Sequence, residues 1–121
     1  MLVGKRILIV EDEWLLADHL ASIVEDAGAV VIGPTATVAD ALTLLEGAPA
    51  PDAATLNVRL AEHVSFPVAD RLAALNIPYM FISANMMQSM PERFHQRPLI
   101  AKPFTNLQIS VALVHLFEVA A

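Results

Sequence analysis

Cysteine is absent from this chain of 121 residues, which excludes disulfides, thiol catalysis and thiolate-bound zinc. Basic residues are scarce. Seven Lys and Arg stand against 13 Asp and Glu, for a net charge of −6. Such a chain lacks the basic patch that a phosphate backbone attracts, so nucleic acid is not an expected partner. No apolar run reaches the roughly 18 residues of a membrane span, and the N-terminus has no signal-peptide pattern. The expected compartment is therefore the cytoplasm, with no membrane partner. Phosphate-cradling loops are missing too. Gly4 and Gly33 stand apart from any G-x-G-x-x-G or Walker pattern. The histidines His19, His63, His95 and His115 lack metal-ligand spacing. There is no internal repeat, low-complexity tract or linker.

What the chain does have is apolar material, 56% of its residues against 17% charged, enough to fill the core of a single domain. Apolar runs alternate with amphipathic stretches, which predicts an α/β fold with a doubly wound, five-stranded parallel sheet and helices on both faces. Strands are expected at Lys5 to Val10, Ala29 to Ile32 (closed by Gly33-Pro34), Ala53 to Val58, Tyr79 to Ile82 and Leu99 to Ala101. The first helix is expected from Glu13 to Ala27, with Leu16, Leu20, Ile23 and Val24 as its apolar stripe and Gly28 as its stop. A second runs from Val38 to Leu45 behind Thr37 as N-cap. A loop of six residues follows Val58, and Ser65 is a candidate cap for a third helix ending near Leu75. The last helix opens on Thr105 and Gln108, a capping-box pair, and reaches Val119. Between them, 85–94 stands where a fourth helix belongs. Pro91 would interrupt a long helix, so a loop with one short turn at Pro91–Phe94 is expected. Met86, Met87 and Met90 there suit either an adaptable partner surface or packing beneath the loop.

Chemistry concentrates at the strand ends. The first strand ends in Glu11-Asp12, the third in Asn57, the fourth in Ser83-Ala84 and the fifth in Lys102-Pro103. Ligands of an open parallel sheet sit outside its carboxyl ends, so these groups would meet at one edge. Adjacent acids there call for a cation or a basic partner. Taken singly, each has a plainer reading: Asp12 as a helix cap, Asn57 as a turn residue, Ser83 as a cap or strand-end hydroxyl, Lys102 as a solvated charge.

Taken together, the four endings resemble the receiver domain of two-component response regulators, over essentially the whole chain. The likeness is nearest to a subgroup whose fourth strand ends in a Phe-Ala-Thr-Gly-type segment, here Phe81-Ile82-Ser83-Ala84. The resemblance implies a flavodoxin-like fold of five β-α units and a Mg²⁺ held by Glu11, Asp12, the residue at 57 and the backbone carbonyl of Arg59. It implies phosphoryl contacts from Ser83 and Lys102, and a cis Lys102–Pro103 bond. The residue at 57 would be the aspartate that accepts a phosphoryl group. Here it is Asn57, and an amide oxygen is too weak a nucleophile for that step. Leu99 likewise stands where many receivers carry a switching Tyr or Phe.

The expected function is a single-domain response regulator, without an output domain, that binds signalling proteins and not an enzyme. Its partners would be a histidine kinase or a downstream target, independent of phosphorylation. Mg²⁺ would bind weakly, with the Asn57 amide oxygen as third ligand and the Arg59 side chain competing for Glu11. Two alternatives stand beside this: an ordinary receiver whose aspartate has been exchanged for Asn57, and a Mg²⁺-dependent phosphohydrolase on a similar fold. Leu107, Val111 and Val114 form one apolar line on the last helix, and Ile109, Leu113, Leu116 and Phe117 another. One line suffices to pack on a sheet, so the second predicts a homodimer through this helix.

Overall fold

The computed structural model describes residues 2–84 and 90–120. Its elements in chain order are β1 Arg6–Val10, α1 Trp14–Asp26, β2 Val30–Thr35, α2 Val38–Glu46, β3 Ala53–Asn57, β4 Arg59–Leu60, β5 His63–Val64, α3 Phe66–Ala74, β6 Tyr79–Ser83, β7 Leu99–Ala101 and α4 Asn106–Ala120. Five strands form one parallel sheet in the order β2-β1-β3-β6-β7. The chain moves outward in one direction from β1 to β2 and in the other from β3 onward. The reversal opens a crevice between the carboxyl ends of β1 and β3.

Side-chain alternation divides the core in two. Leu8 and Val10 of β1, Ala54 and Leu56 of β3, and Tyr79 and Phe81 of β6 pack against Ala41 and Leu45 of α2 and Val68, Ala69 and Leu72 of α3. Ile7, Ile9, Ala53, Met80 and Ile82 point the other way, onto Leu20, Ile23 and Val24 of α1 and Ile109, Leu113 and Leu116 of α4. The central strands are therefore continuous apolar runs, as a sheet covered on both faces requires. This is the expected doubly wound, flavodoxin-like architecture.

Most boundaries fall within two residues of expectation, and the caps explain them. Thr37 Oγ1 accepts from Asp40 N at 3.1 Å. Thr105 and Gln108 exchange both capping-box bonds, at 2.7 and 3.1 Å. Ser65 holds the N-cap position of α3 but makes no side-chain capping bond, and its buried Oγ has no partner among the described residues.

Three expectations are corrected, and one that was left open is decided. β2 continues through Gly33-Pro34 to Thr35, because it bulges there: Leu8 pairs with Ile32 but Val10 with Thr35. Pro34 is tolerated since β2 is an edge strand. Gly33, at φ +89, is needed because a Cβ would stand 2.8 Å from Thr35 N. The six residues after Val58 are not a plain loop but an antiparallel hairpin, β4 with β5. Of the two readings open for Met90, packing holds, since it is buried in the core; Met86 and Met87 lie outside the described residues. On α4, Val114 belongs to the inner side, half-buried against the α1 cluster, so the outward line reduces to Leu107 and Val111, 72% and 58% exposed.

The segment before β7 carries a 3-10 turn at Glu92–Phe94, near the expected short turn. Phe94 stacks on Phe66 and meets the edge of Phe81, while Arg93 pairs with Asp70 of α3 through two bonds of 2.9 Å. The remainder of that expected loop, 85–89, lies outside the described residues.

Candidate functional site

Glu11, Asp12, Asn57, Ser83 and Lys102 do converge at the carboxyl edge, and register explains why. β1 and β3 run side by side with Val10 opposite Leu56, so the residues that follow, Glu11 and Asn57, face one another at the crevice. Ile82 pairs with Asn57 across β3 and β6. Ser83 pairs with Ala101, and the Ser83 carbonyl accepts Lys102 N at 2.9 Å, which aims the lysine back over the sheet end. The Lys102–Pro103 bond is cis, as the resemblance implied. A hollow of about 230 Å³ is lined by Asp12, Asn57, Arg59, Ala61, Ser83 and Lys102, among others.

The centre is a hydrogen-bonded clasp. Asn57 Nδ2 donates to Glu11 Oε2 at 3.0 Å and to Asp12 Oδ1 at 3.3 Å. The amide must present its nitrogen here, because its oxygen would face two carboxylates with no proton between them. Glu11 Oε2 also accepts Glu13 N at 3.1 Å, and Asp12 Oδ2 accepts Ala61 N at 2.8 Å. Lys102 Nζ lies 3.4 Å from Glu11 Oε1 and 3.8 Å from Glu13 Oε2. Glu11 Oε1 has no directed hydrogen bond, so its link to Lys102 is a contact of charges.

Glu11 is 2% exposed. Burial pushes its carboxyl above the usual glutamate range; the Glu13 N–H and the Lys102 charge pull it down, without cancelling burial. A buried acid is tolerated here because the Glu13 N–H, the Asn57 amide and the Lys102 charge offset its burial and the neighbouring Asp12 carboxylate.

Two parts of the expected ligand set are corrected. Asn57 turns its amide nitrogen, not its oxygen, to the acids. Arg59 is not the counter-cation of Glu11. It sits exposed at the start of the hairpin and makes no ion pair among the described residues, while Lys102 takes that place. Two participants were missed. Glu13 was visible as the third acid of a run but was assigned only to the helix. The Ala61 N–H is a backbone donor whose position depends on an unforeseen hairpin.

As arranged, these residues do not fit the Mg²⁺ that the resemblance implies. Mg²⁺ wants oxygen ligands in an octahedron. The carboxylate oxygens that face the crevice are engaged by protein donors or by Lys102, and the third position presents N–H groups. Among the described residues there is no group of three or more His, Asp or Glu that could hold a metal. Nor, among them, is any helix long and apolar enough to cross a membrane.

No protein-family model matches the chain. Over 119 residues it is 36% identical to the phyllosphere-induced regulator PhyR of Methylorubrum extorquens, covering 92% of this chain and 43% of that protein. The chain thus spans less than half the length of that curated relative. The solution structure of SdrG from Sphingomonas melonis Fr1 is 40% identical, with a TM-score of 0.83 and coverage of 97% and 99% of the two chains. SdrG in its BeF3-activated conformation gives 39% and 0.80, over 96% and 98%. A response regulator receiver protein from Sinorhizobium medicae WSM419 aligns over the full length of both chains at 25% identity and a TM-score of 0.83. At 40% identity over nearly the whole of both chains, the likeness to SdrG is more than a common fold: the chain belongs to the receiver family of two-component response regulators.

Proposed function

We propose that this receiver works as a protein-binding module whose state is not set by phosphorylation. The observation that carries the reading is the Asn57 side chain, which stands where the resemblance puts the phosphoacceptor and bonds to both acids. An amide there supplies no carboxylate nucleophile. Ser83 and Lys102 keep their positions at the strand ends, and their role becomes structural. In the test, the protein is treated with a small acyl phosphate and Mg²⁺, and its intact mass stays unchanged. A stoichiometric, hydroxylamine-labile gain of one phosphoryl group overturns the reading.

A partner would be another signalling protein, a histidine kinase or a downstream target, or a second copy of this chain. Leu107 and Val111 support self-association through α4, being apolar, exposed and one turn apart. Val111→Glu then lowers the apparent mass in light scattering and leaves the circular dichroism spectrum intact. A wild type that stays monomeric at high concentration removes the homodimer and leaves the heterologous partner.

A second reading has one observation in its favour. The two acids, the strand-end hydroxyl and the lysine that the resemblance asks for are gathered at one edge around residue 57. On that reading Asn57→Asp restores an ordinary receiver and regains modification in the same assay.

A further inference from the structure

We infer that the Asn57 amide takes the place of a divalent cation in this site, and thereby latches the β4–β5 hairpin over it through Asp12. The inference goes beyond the signalling role and stands on the geometry of the clasp.

Asp12 is the pivot. One of its oxygens is held by Asn57 Nδ2, at 3.3 Å, and the other holds Ala61 N, at 2.8 Å. Asn57 thus fixes the carboxylate that fixes the hairpin tip. The tip needs holding. Ala61 has a φ of +57, a left-handed conformation that is strained for a residue with a Cβ. The hairpin itself is minimal, two residues on each side, and a ribbon that short is not stable by its own ladder. At its base Ser65 N donates to the Val58 carbonyl at 2.9 Å, which closes the loop but leaves the tip to Asp12. Arg59 and Ala61 both line the hollow, so the hairpin forms part of its wall.

A cation would compete with this arrangement at every point. It would require an acceptor where the amide presents donors, and it would draw on the carboxylate oxygens that now bond to Glu13 N, Ala61 N and Asn57 Nδ2. The clasp is therefore built to stand without Mg²⁺ and disfavours its entry, so millimolar Mg²⁺ leaves the latch in place.

Backbone amide exchange on the whole chain, read by NMR with β1 amides as an internal reference for global opening, tests this. In wild type the Ala61 amide is protected, and millimolar Mg²⁺ changes neither its exchange nor the Asn57 side-chain resonances. Asp12→Ala removes the acceptor and speeds Ala61 exchange at least about tenfold relative to β1. Asn57→Ala leaves the acceptor but frees it, and gives a smaller acceleration in the same hairpin. The inference is overturned if wild-type Ala61 exchanges as fast as in Asp12→Ala. It is equally overturned if Asn57→Ala leaves Ala61 unchanged, or if Mg²⁺ shifts the Asn57 side chain in wild type. A protein that resists phosphorylation yet responds to Mg²⁺ would sink this inference alone.

Discussion

Replacing Asn57 by Asp changes little in shape and much in energy. The amide now donates to Glu11 Oε2 and Asp12 Oδ1. Asn57→Asp removes both bonds and sets a third carboxylate beside two others. Like charges about 4 Å apart repel by roughly 4 kcal/mol at an effective dielectric of 20, and Lys102 offsets one such pair. The protein limits the cost by protonating a carboxyl. With an unfolded pKa near 3.9, the cost at pH 7 saturates at about 4 kcal/mol once the folded pKa passes 7, at roughly 1.4 kcal/mol per unit. Melts followed by far-UV circular dichroism, with divalent ions chelated, should place Asn57→Asp about 2–4 kcal/mol below wild type at pH 7. That is roughly 8–15 °C for a domain of this size. A group whose folded pKa is raised costs nothing below its unfolded pKa, and its cost grows as pH rises through that value until the folded pKa is reached. The deficit should therefore shrink toward pH 4, leaving the loss of the two bonds. Mg²⁺ should recover stability in Asn57→Asp but not in wild type. Equal melting of the two proteins at pH 7, or a deficit that ignores pH, would refute the reasoning.

Two further outcomes follow from the same network. Glu11 has a raised folded pKa through burial, so its stability contribution is greatest below its unfolded pKa, near 4.3, and is lost as pH rises toward the folded value. Measured against Glu11→Gln by urea unfolding, wild type should gain relative stability as pH is lowered from neutral toward 4; a flat difference would mean the carboxylate is fully compensated. Lys102→Met leaves Glu11 buried without its cation, and should cost about 2–3 kcal/mol in the same measurement, much of it recovered by adding Glu11→Gln. A cost under about 0.5 kcal/mol would assign the burden to Asn57 and the Glu13 N–H alone.

How far the sequence carried this picture depends on the kind of contact. The sheet was legible because β1, β3 and β6 are buried on both faces, and so read as unbroken apolar runs between turn residues. The caps were legible because Thr37, Thr105 and Gln108 act over three residues. The convergence of Glu11, Asn57, Ser83 and Lys102 was legible from parallel strand ends alone. What was not legible was direction. Which atom of Asn57 faces the acids depends on the protons around it, and which cation reaches Glu11 depends on the aim given by β7. Arg59 has the reach but starts a hairpin that turns it outward. That hairpin has no apolar alternation to announce it, and its tip is held by a backbone N–H that no side chain signals.

The central claim is that Asn57 removes this receiver from phosphoryl control. It is tested most directly with beryllofluoride, the phosphoryl mimic present in the activated SdrG structure. Amide spectra of wild type with Mg²⁺ and beryllofluoride should superimpose on those without. Asn57→Asp under the same conditions should shift resonances at Ser83, Ala84 and Lys102. Shifts of that kind in the wild-type protein would contradict the account.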